Sequence, residues 1–154
     1  MTYRIQGLPA EPFQRLFAMT DAELAAHRAV RQRADGPGYP CRISLTDAEP
    51  GDEVILTHFE HHPVDSPFRA SHALYVRRGE TQYDAVGQIP EQLRRRLLSV
   101  RAFDRAGMML TADVLDGAAL DGAIRALLED PRAAYLHVHF AKQGCYAARV
   151  TRAA

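Results

Sequence analysis

Histidine is the residue type in this chain whose number and spacing point most directly to chemistry, because its neutral ring binds metals and its charge changes near neutral pH. Of seven histidines, six fall on or beside segments that read as β-strands: His58, His61, His62, His72, His137 and His139. Residues two apart in a strand point to the same face. His137 and His139 are therefore expected to share one face, and His58 and Glu60 another.

A hairpin predicted around residues 61–70 would bring His72 back beside His58 and Glu60. Side chains on neighbouring antiparallel strands lie about 5 Å apart, and two imidazoles with a carboxylate at that spacing can hold a divalent metal. We therefore predict a His-lined pocket for a small molecule or anion, with a divalent metal as an optional cofactor. The predicted ligand-binding residues are His58, Glu60, His72, His137, His139 and Arg149, and all of these except Arg149 are candidate metal ligands.

Two other interpretations of these residues stay open. Histidines in half-buried strands often only hydrogen-bond a carbonyl or carboxylate, and the chain would then be a non-catalytic binding or interaction module with structural histidines. The tripeptide His58-Phe59-Glu60 followed by a distant histidine also has the order of an iron(II) facial triad, with Arg149 binding a 2-oxo acid. That chemistry needs a double-stranded barrel with more strands than the sequence predicts. His61 and His62, in an acidic loop, are predicted to face solvent.

A thiol follows the tight turn at residues 142–144, since Cys145 begins the last predicted strand. A nearby cation favours the nucleophilic thiolate, and a histidine on the neighbouring strand could act as its base. The candidate catalytic residues are therefore His72, His139 and Cys145. The alternative is that Cys145, like Cys41, is a small buried apolar residue.

Four isolated cations near predicted strand ends are further candidates for anion binding: Arg42, Arg69, Lys142 and Arg149. Together with histidines they could bind a carboxylate. Each of them alone is more typical of a surface charge, which contributes little to stability.

Composition excludes several classes of protein. The chain has 154 residues, with 19 Lys and Arg against 19 Asp and Glu. This length suits one domain, and the neutral balance argues against nucleic acid or a membrane surface as partner. The start of the chain has no signal-peptide core, and no stretch is long and apolar enough to cross a membrane. We therefore expect a cytoplasmic protein with reduced thiols.

Local patterns indicate the elements that would position these residues. A helical part is predicted over residues 10–33, including a capping box at Thr20 and Glu23, and it ends before the breaker Gly36–Pro40. Strands are predicted at 41–45, 53–60, 71–77, 108–115, 134–140 and 145–150, the last two joined as a hairpin by Gly144. Further helices are predicted near 90–100 and 117–129. This order favours one α+β domain over residues 1–154, with helices packed on a largely antiparallel sheet.

Several short motifs resemble those of a bacterial family, DUF1203, whose function is unknown. They are Gly7-Leu8-Pro9, Gly38-Tyr39-Pro40-Cys41-Arg42, Asp47-Ala48-Glu49-Pro50-Gly51, Arg69-Ala70-Ser71-His72-Ala73, His137-Val138-His139 and the segment Gly144–Val150. The resemblance covers nearly the whole chain and implies a stand-alone bacterial protein. It brings with it no activity, cofactor or catalytic residue.

Overall fold

The computed structural model describes residues 1–154, which form nine β-strands and four short α-helices. The strands are β1 (Thr2–Gln6), β2 (Ala29–Arg33), β3 (Glu53–His62), β4 (Ala70–Arg77), β5 (Asp84–Val86), β6 (Leu97–Phe103), β7 (Met109–Asp116), β8 (Tyr135–Phe140) and β9 (Tyr146–Ala153). The helices are α1 (Glu11–Gln14), α2 (Asp21–Ala26), α3 (Glu91–Arg94) and α4 (Leu120–Leu128), with 3₁₀ turns at Arg15–Ala18 and Gly117–Ala119.

The strands form two open antiparallel sheets. The larger sheet has six strands in the order β5-β1-β9-β8-β6-β7, and the smaller has three in the order β2-β3-β4. Every strand pair is antiparallel. The predicted α+β class with a largely antiparallel sheet and packed helices is therefore confirmed. Neither sheet closes into the barrel that an iron(II) oxygenase of the facial-triad type would need.

One face of the larger sheet is apolar because α4 covers it. Leu120, Ile124 and Leu128 recur every four residues along that helix and are all buried, which is the spacing of a single helix face. They pack in one cluster with side chains of the central strands, including Val100 and Val138. The principal core therefore lies between α4 and this face.

A second core joins the smaller sheet to the N-terminal helices. Phe13 and Leu24 pack there with Ile55 and Leu74 of β3 and β4. Tyr146, at the start of β9 in the larger sheet, belongs to the same cluster. The second face of the larger sheet is thereby held against the smaller one.

Local signals located several elements correctly. The capping box forms as predicted: the Thr20 side chain accepts from the Glu23 backbone N–H, and the Glu23 side chain accepts from the Thr20 backbone. The hairpin of β8 and β9 also forms, and Gly144 adopts a φ of +79° in its turn. Such a φ favours glycine because a side chain would crowd the backbone.

The helix predicted near residues 90–100 is wrong over its second half. Helix α3 ends at Arg94, and Leu97–Phe103 is a strand between β7 and β8. Leu98, Ser99 and Val100 are all buried, as expected for a central strand covered on both faces. Pairing on both edges, which a local pattern does not reveal, overrides the helical spacing of the leucines.

Three other parts of the prediction also need correction. The N-terminal helix does not reach Arg33, because Arg28 adopts a φ of +54° and the chain continues as β2. Residues 41–45 form no strand, and the bridges in this part of the chain are isolated ones, Pro40 with Asp47 and Cys41 with Tyr75. Strands β1 and β5, at one side of the larger sheet, were not predicted. None of the helices is long and apolar enough to cross a membrane.

Two glycines offer a matched test of this packing. A Cβ on Gly117 would lie 1.9 Å from the Leu93 carbonyl oxygen, whereas a Cβ on Gly122 would meet nothing within 4 Å. We predict that Gly117→Ala lowers the free energy of unfolding by about 1–3 kcal/mol, because backbone must move. Gly122→Ala, in an exposed part of α4, should raise it by about 0.5–1 kcal/mol. Urea denaturation of both variants checks this, and equal effects would contradict the packing described.

Candidate functional site

The predicted grouping of His58, Glu60 and His72 does not form. Phe59 is paired with His72 in the β3–β4 register, and His58 is paired with Ala73. Paired residues on antiparallel strands share a face, so His58 and His72 lie on opposite faces of the smaller sheet. A difference of one residue in register reverses every side chain, and the sequence did not fix that register. His58 is exposed, and Glu60 accepts two hydrogen bonds from Arg69, at 2.9 and 2.8 Å.

Four other histidines meet between the two sheets, and we call them the histidine cluster: His61, His62, His137 and His139. The ring centroids of His62 and His137 are 4.9 Å apart, and those of His61 and His139 are 5.2 Å apart. The prediction that His61 and His62 face solvent is wrong, since His62 is 3% exposed. A break in register between Phe59 and His62 turns the end of β3 toward β8.

Two members of the cluster, His62 and His139, have hydrogen-bond partners within the protein and act as structural histidines. His62 bonds the Phe68 carbonyl oxygen through Nδ1 at 2.8 Å and the Tyr135 hydroxyl through Nε2 at 2.6 Å. His139 Nδ1 lies 2.9 Å from the Gly144 carbonyl oxygen. Because a carbonyl can only accept, Nδ1 of each ring carries the proton.

The other two members, His61 and His137, each have a ring nitrogen without a hydrogen-bond partner. Nδ1 of His61 and Nδ1 of His137 are buried and have no hydrogen-bond partner. His61 stacks on Tyr146, with ring centroids 5.0 Å apart, and His137 meets the same ring edge-on at 5.0 Å. Buried polar atoms are nearly always bonded in folded proteins, so these two need an explanation. The third such side-chain atom, Oε1 of Gln92, does not belong to the histidine cluster.

His61 and His137 line a polar cleft of about 310 Å³, together with Glu60, Tyr146 and Arg149. The remaining lining residues are Gln6, Gly7, Leu8, Pro9, Phe59, Pro63 and Gln82. Arg149 is directly paired with His137 on one side and with Gln6 on the other. These three side chains therefore form a row across β8, β9 and β1 on one face of the sheet.

Burial keeps the imidazole rings of His61, His137 and His139 neutral. Removal from water lowers the pKa of His61 to about 4 and, with the field of neighbouring His62, lowers the pKa of His137 to about 2. Burial likewise lowers the pKa of His139 to about 3. At neutral pH each ring therefore presents one N–H donor and one nitrogen acceptor. No three His, Cys, Asp or Glu side chains are arranged to hold a metal ion.

Three further predicted residues, His72, Cys145 and Arg42, lie around a second hollow at the turn between β8 and β9. His72 and Cys145 both line it, as do Arg42 and Arg96. The residue bonded to the Cys145 sulfur is Arg42, whose Nη2 donates to Sγ at 2.9 Å. Arg42 is 1% exposed and so is not the surface charge that the sequence suggested. His139 lines neither this hollow nor the cleft, so the three candidate catalytic residues do not converge.

Two further candidate residues, Cys41 and Lys142, lie outside both cavities. Cys41 is buried beside Val54 and Ala48, and burial raises the pKa of its thiol to about 12. Lys142 is exposed at the hairpin turn. The sequence named Arg42 among the candidate anion-binding cations but did not predict its burial, because its hydrogen-bond partners Cys145 and Tyr146 are distant in sequence and leave no local signal.

The buried imidazoles predict how stability depends on pH. The unfolded histidines bind protons below about pH 6.5, whereas His61, His137 and His139 stay neutral in the folded protein until far lower pH. The free energy of unfolding should therefore fall as pH falls from about 6.5 to 5, by up to about 1.4 kcal/mol per pH unit for each ring. Urea denaturation at several pH values checks this.

A matched pair of variants assigns the effect to the cluster. His137→Gln removes one buried ring. It should reduce the slope of unfolding free energy against pH by up to about 1.4 kcal/mol per pH unit, which corresponds to one proton bound on unfolding. His27→Gln replaces an exposed ring and should leave the slope unchanged. A slope that is flat in the parent protein, or equally reduced by both substitutions, contradicts the burial described.

Comparison with known proteins places the chain in a family. The family model described as "Protein of unknown function (DUF1203)" matches residues 38–152. No curated protein and no solved structure matches the chain. The matched span includes the whole histidine cluster and every charged residue of both cavities. The chain therefore belongs to the DUF1203 family.

Proposed function

We propose that the protein binds a small carboxylic acid in the cleft lined by His61, His137 and Arg149. The observation that supports this most strongly is the pair of buried Nδ1 atoms, on His61 and His137, that have no partner in the protein. An unsatisfied buried polar atom costs about 1–3 kcal/mol. A ligand that supplies hydrogen bonds to both rings would recover that cost on binding.

The charges around the cleft favour an anionic ligand. Arg149 forms no ion pair with a carboxylate, and its guanidinium lies over the Tyr135 ring with Cζ 4.6 Å from the centroid. Glu60, the acid that lines the cleft, already binds Arg69. A carboxylate can bind a guanidinium through two parallel hydrogen bonds, so Arg149 is the group expected to recognise it.

The neutral rings add a requirement for polar groups beyond the carboxylate. Each of His61 and His137 offers a donor and an acceptor, which suits a hydroxyl or an oxo group better than a second charge. A volume of about 310 Å³ is at the small end of ligand pockets. The expected ligand class is therefore a hydroxy- or oxo-carboxylic acid of a few carbon atoms.

The main alternative is a non-catalytic interaction module in which every histidine is structural. His62 and His139 fit that description, since their Nδ1 atoms bond backbone carbonyls. His61 and His137 do not fit it, because a structural role would give their Nδ1 atoms a partner. The difference between these two pairs of rings is the reason for preferring a binding site.

We also infer that the protein works in the bacterial cytosol. Cys41 and Cys145 are both free and buried. Arg42 donates a hydrogen bond to the sulfur of reduced Cys145. A reducing compartment preserves that contact.

Histidine side-chain NMR tests the proposed binding. Protein labelled with ¹⁵N is titrated with glycolate, lactate, malate and 2-oxoglutarate, and with glycerol as a neutral control. At least one carboxylate should shift the Nδ1 resonances of His61 and His137 in a saturable way while leaving exposed His27 unmoved. Arg149→Gln should weaken that binding about ten-fold or more, because a charge-assisted pair contributes about 1.5–3 kcal/mol.

A matched control replaces Arg152, which follows Arg149 on β9 but bonds backbone carbonyls of Leu128, Asp130 and Ala133 away from the cleft. Arg152→Gln changes the net charge equally and should not weaken binding of the same acid. The proposal is lost if no acid of the panel moves the two Nδ1 resonances at millimolar concentration. It is also lost if both arginine substitutions weaken binding alike.

A further inference from the structure

A second cavity, of about 220 Å³, opens beside the turn between β8 and β9 and has cationic but no acidic side chains in its lining. Its polar residues include Arg42, His72, Arg96 and Cys145. We propose that this cavity binds the anionic end of a small molecule and holds it against the Cys145 thiol. The site is separate from the cleft at His61 and His137, and it uses none of the residues on which the proposed function depends.

Arg42 is the central observation, because a charged group this deeply buried normally has a carboxylate partner. The side chain is 1% exposed. Nε donates to the Tyr146 carbonyl oxygen at 2.7 Å, Nη1 to the Pro40 carbonyl oxygen, and Nη2 to Cys145 Sγ. A guanidinium has five N–H donors, so two remain for a ligand in the cavity. No carboxylate forms an ion pair with it.

Arg96 supplies a second positive charge on the same aromatic ring. The Cζ atoms of Arg42 and Arg96 lie 4.7 and 5.2 Å from the centroid of Phe140. Arg96 also binds Asp47 at 2.9 Å, but Asp47 does not line the cavity. Two guanidinium groups are thus fixed next to one apolar ring, an arrangement that favours a planar or tetrahedral oxyanion.

Cys145 is placed where a bound anion would reach it. The residue is 6% exposed and lines the cavity. A guanidinium N–H of Arg42 lies 2.9 Å from Sγ, and in cysteine the thiolate is the form that attacks electrophiles. An electrophile with an anionic end would therefore be held close to a sulfur that is able to attack it.

Carboxylate and phosphate groups share the chemistry that this cavity recognises. Both accept several hydrogen bonds from guanidinium groups. A volume of about 220 Å³ corresponds to roughly seven water molecules at the ~30 Å³ each occupies in the liquid. Either oxyanion fits, together with a short organic substituent.

Charge-selective alkylation tests the site directly. Iodoacetate carries a carboxylate and iodoacetamide is its neutral analogue. In both reactions the Cys145 thiolate displaces iodide: an S–C bond forms, the C–I bond breaks, and the thiol proton has passed to solvent. Rates are measured on the folded protein by peptide mass spectrometry, which separates Cys145 from Cys41, and N-acetylcysteine serves as the free-thiol reference.

The ratio of the iodoacetate rate to the iodoacetamide rate should exceed that of N-acetylcysteine by roughly three- to ten-fold, as two nearby cations at intermediate dielectric would produce. Arg96→Gln should lower the ratio part of the way toward that of N-acetylcysteine, because Arg42 remains beside the sulfur. The matched control is Arg95→Gln, since Arg95 also contacts Asp47, at 3.4 Å, but does not line the cavity. Arg95→Gln should leave the ratio unchanged. These positions are preferable to Arg42, whose buried side chain the fold requires.

Protection experiments identify the kind of oxyanion. Acetate and inorganic phosphate are added separately, at constant ionic strength, and the one that slows alkylation of Cys145 by iodoacetamide is the better ligand. The proposal is overturned if the rate ratio equals that of N-acetylcysteine, if both arginine substitutions lower it equally, or if Cys145 reacts only after unfolding. If alkylation of Cys145 shows the expected charge selectivity but no carboxylate shifts the Nδ1 resonances of His61 and His137, only the proposed function is overturned.

Discussion

Strand β8 imposes the main constraint on this molecule, because all of its six residues are buried. A strand buried on both faces needs a cover for each of them. On one side the cover is apolar, from α4 and the neighbouring strands. On the other side β8 presents His137 and His139, and the smaller sheet must cover two imidazoles. The end of β3 does so with two further histidines, which makes a polar layer inside a protein of ordinary composition.

The polar layer is stable only where its hydrogen bonds are made, and the protein makes them unevenly. His62 bonds the Tyr135 hydroxyl and so joins the two sheets, whereas His139 bonds the Gly144 carbonyl within its own hairpin. His61 and His137, one step nearer the cleft, keep unpartnered Nδ1 atoms. The same division appears among the arginines, since Arg152 donates to three backbone carbonyls whereas Arg149 has no anionic partner. The unpartnered atoms of His61 and His137 and the guanidinium of Arg149 therefore belong to one cleft.

Local patterns predicted the elements better than they predicted the site. The capping box at Thr20 and the glycine turn at Gly144 depend on a few adjacent residues, and both are found. Residues 97–100 were misassigned because their strand character comes from two partner strands distant in sequence. His58 and His72 were placed together although a register of one residue separates their faces. His61 and His62 were dismissed because the bulge that turns them inward leaves no mark in the local sequence.

Two consecutive residues line different cavities, since Cys145 lines the one beside Arg42 and Tyr146 lines the cleft at His61 and His137. Arg42 donates hydrogen bonds to both residues, to the sulfur of Cys145 and to the backbone carbonyl oxygen of Tyr146. The ring of Tyr146 in turn carries His61 on its face. Any adduct that displaces the guanidinium from the sulfur therefore also disturbs the backbone on which the tyrosine rests. A chemical change at Cys145 would then alter the geometry of the cleft at His61, through Arg42 and the ring of Tyr146.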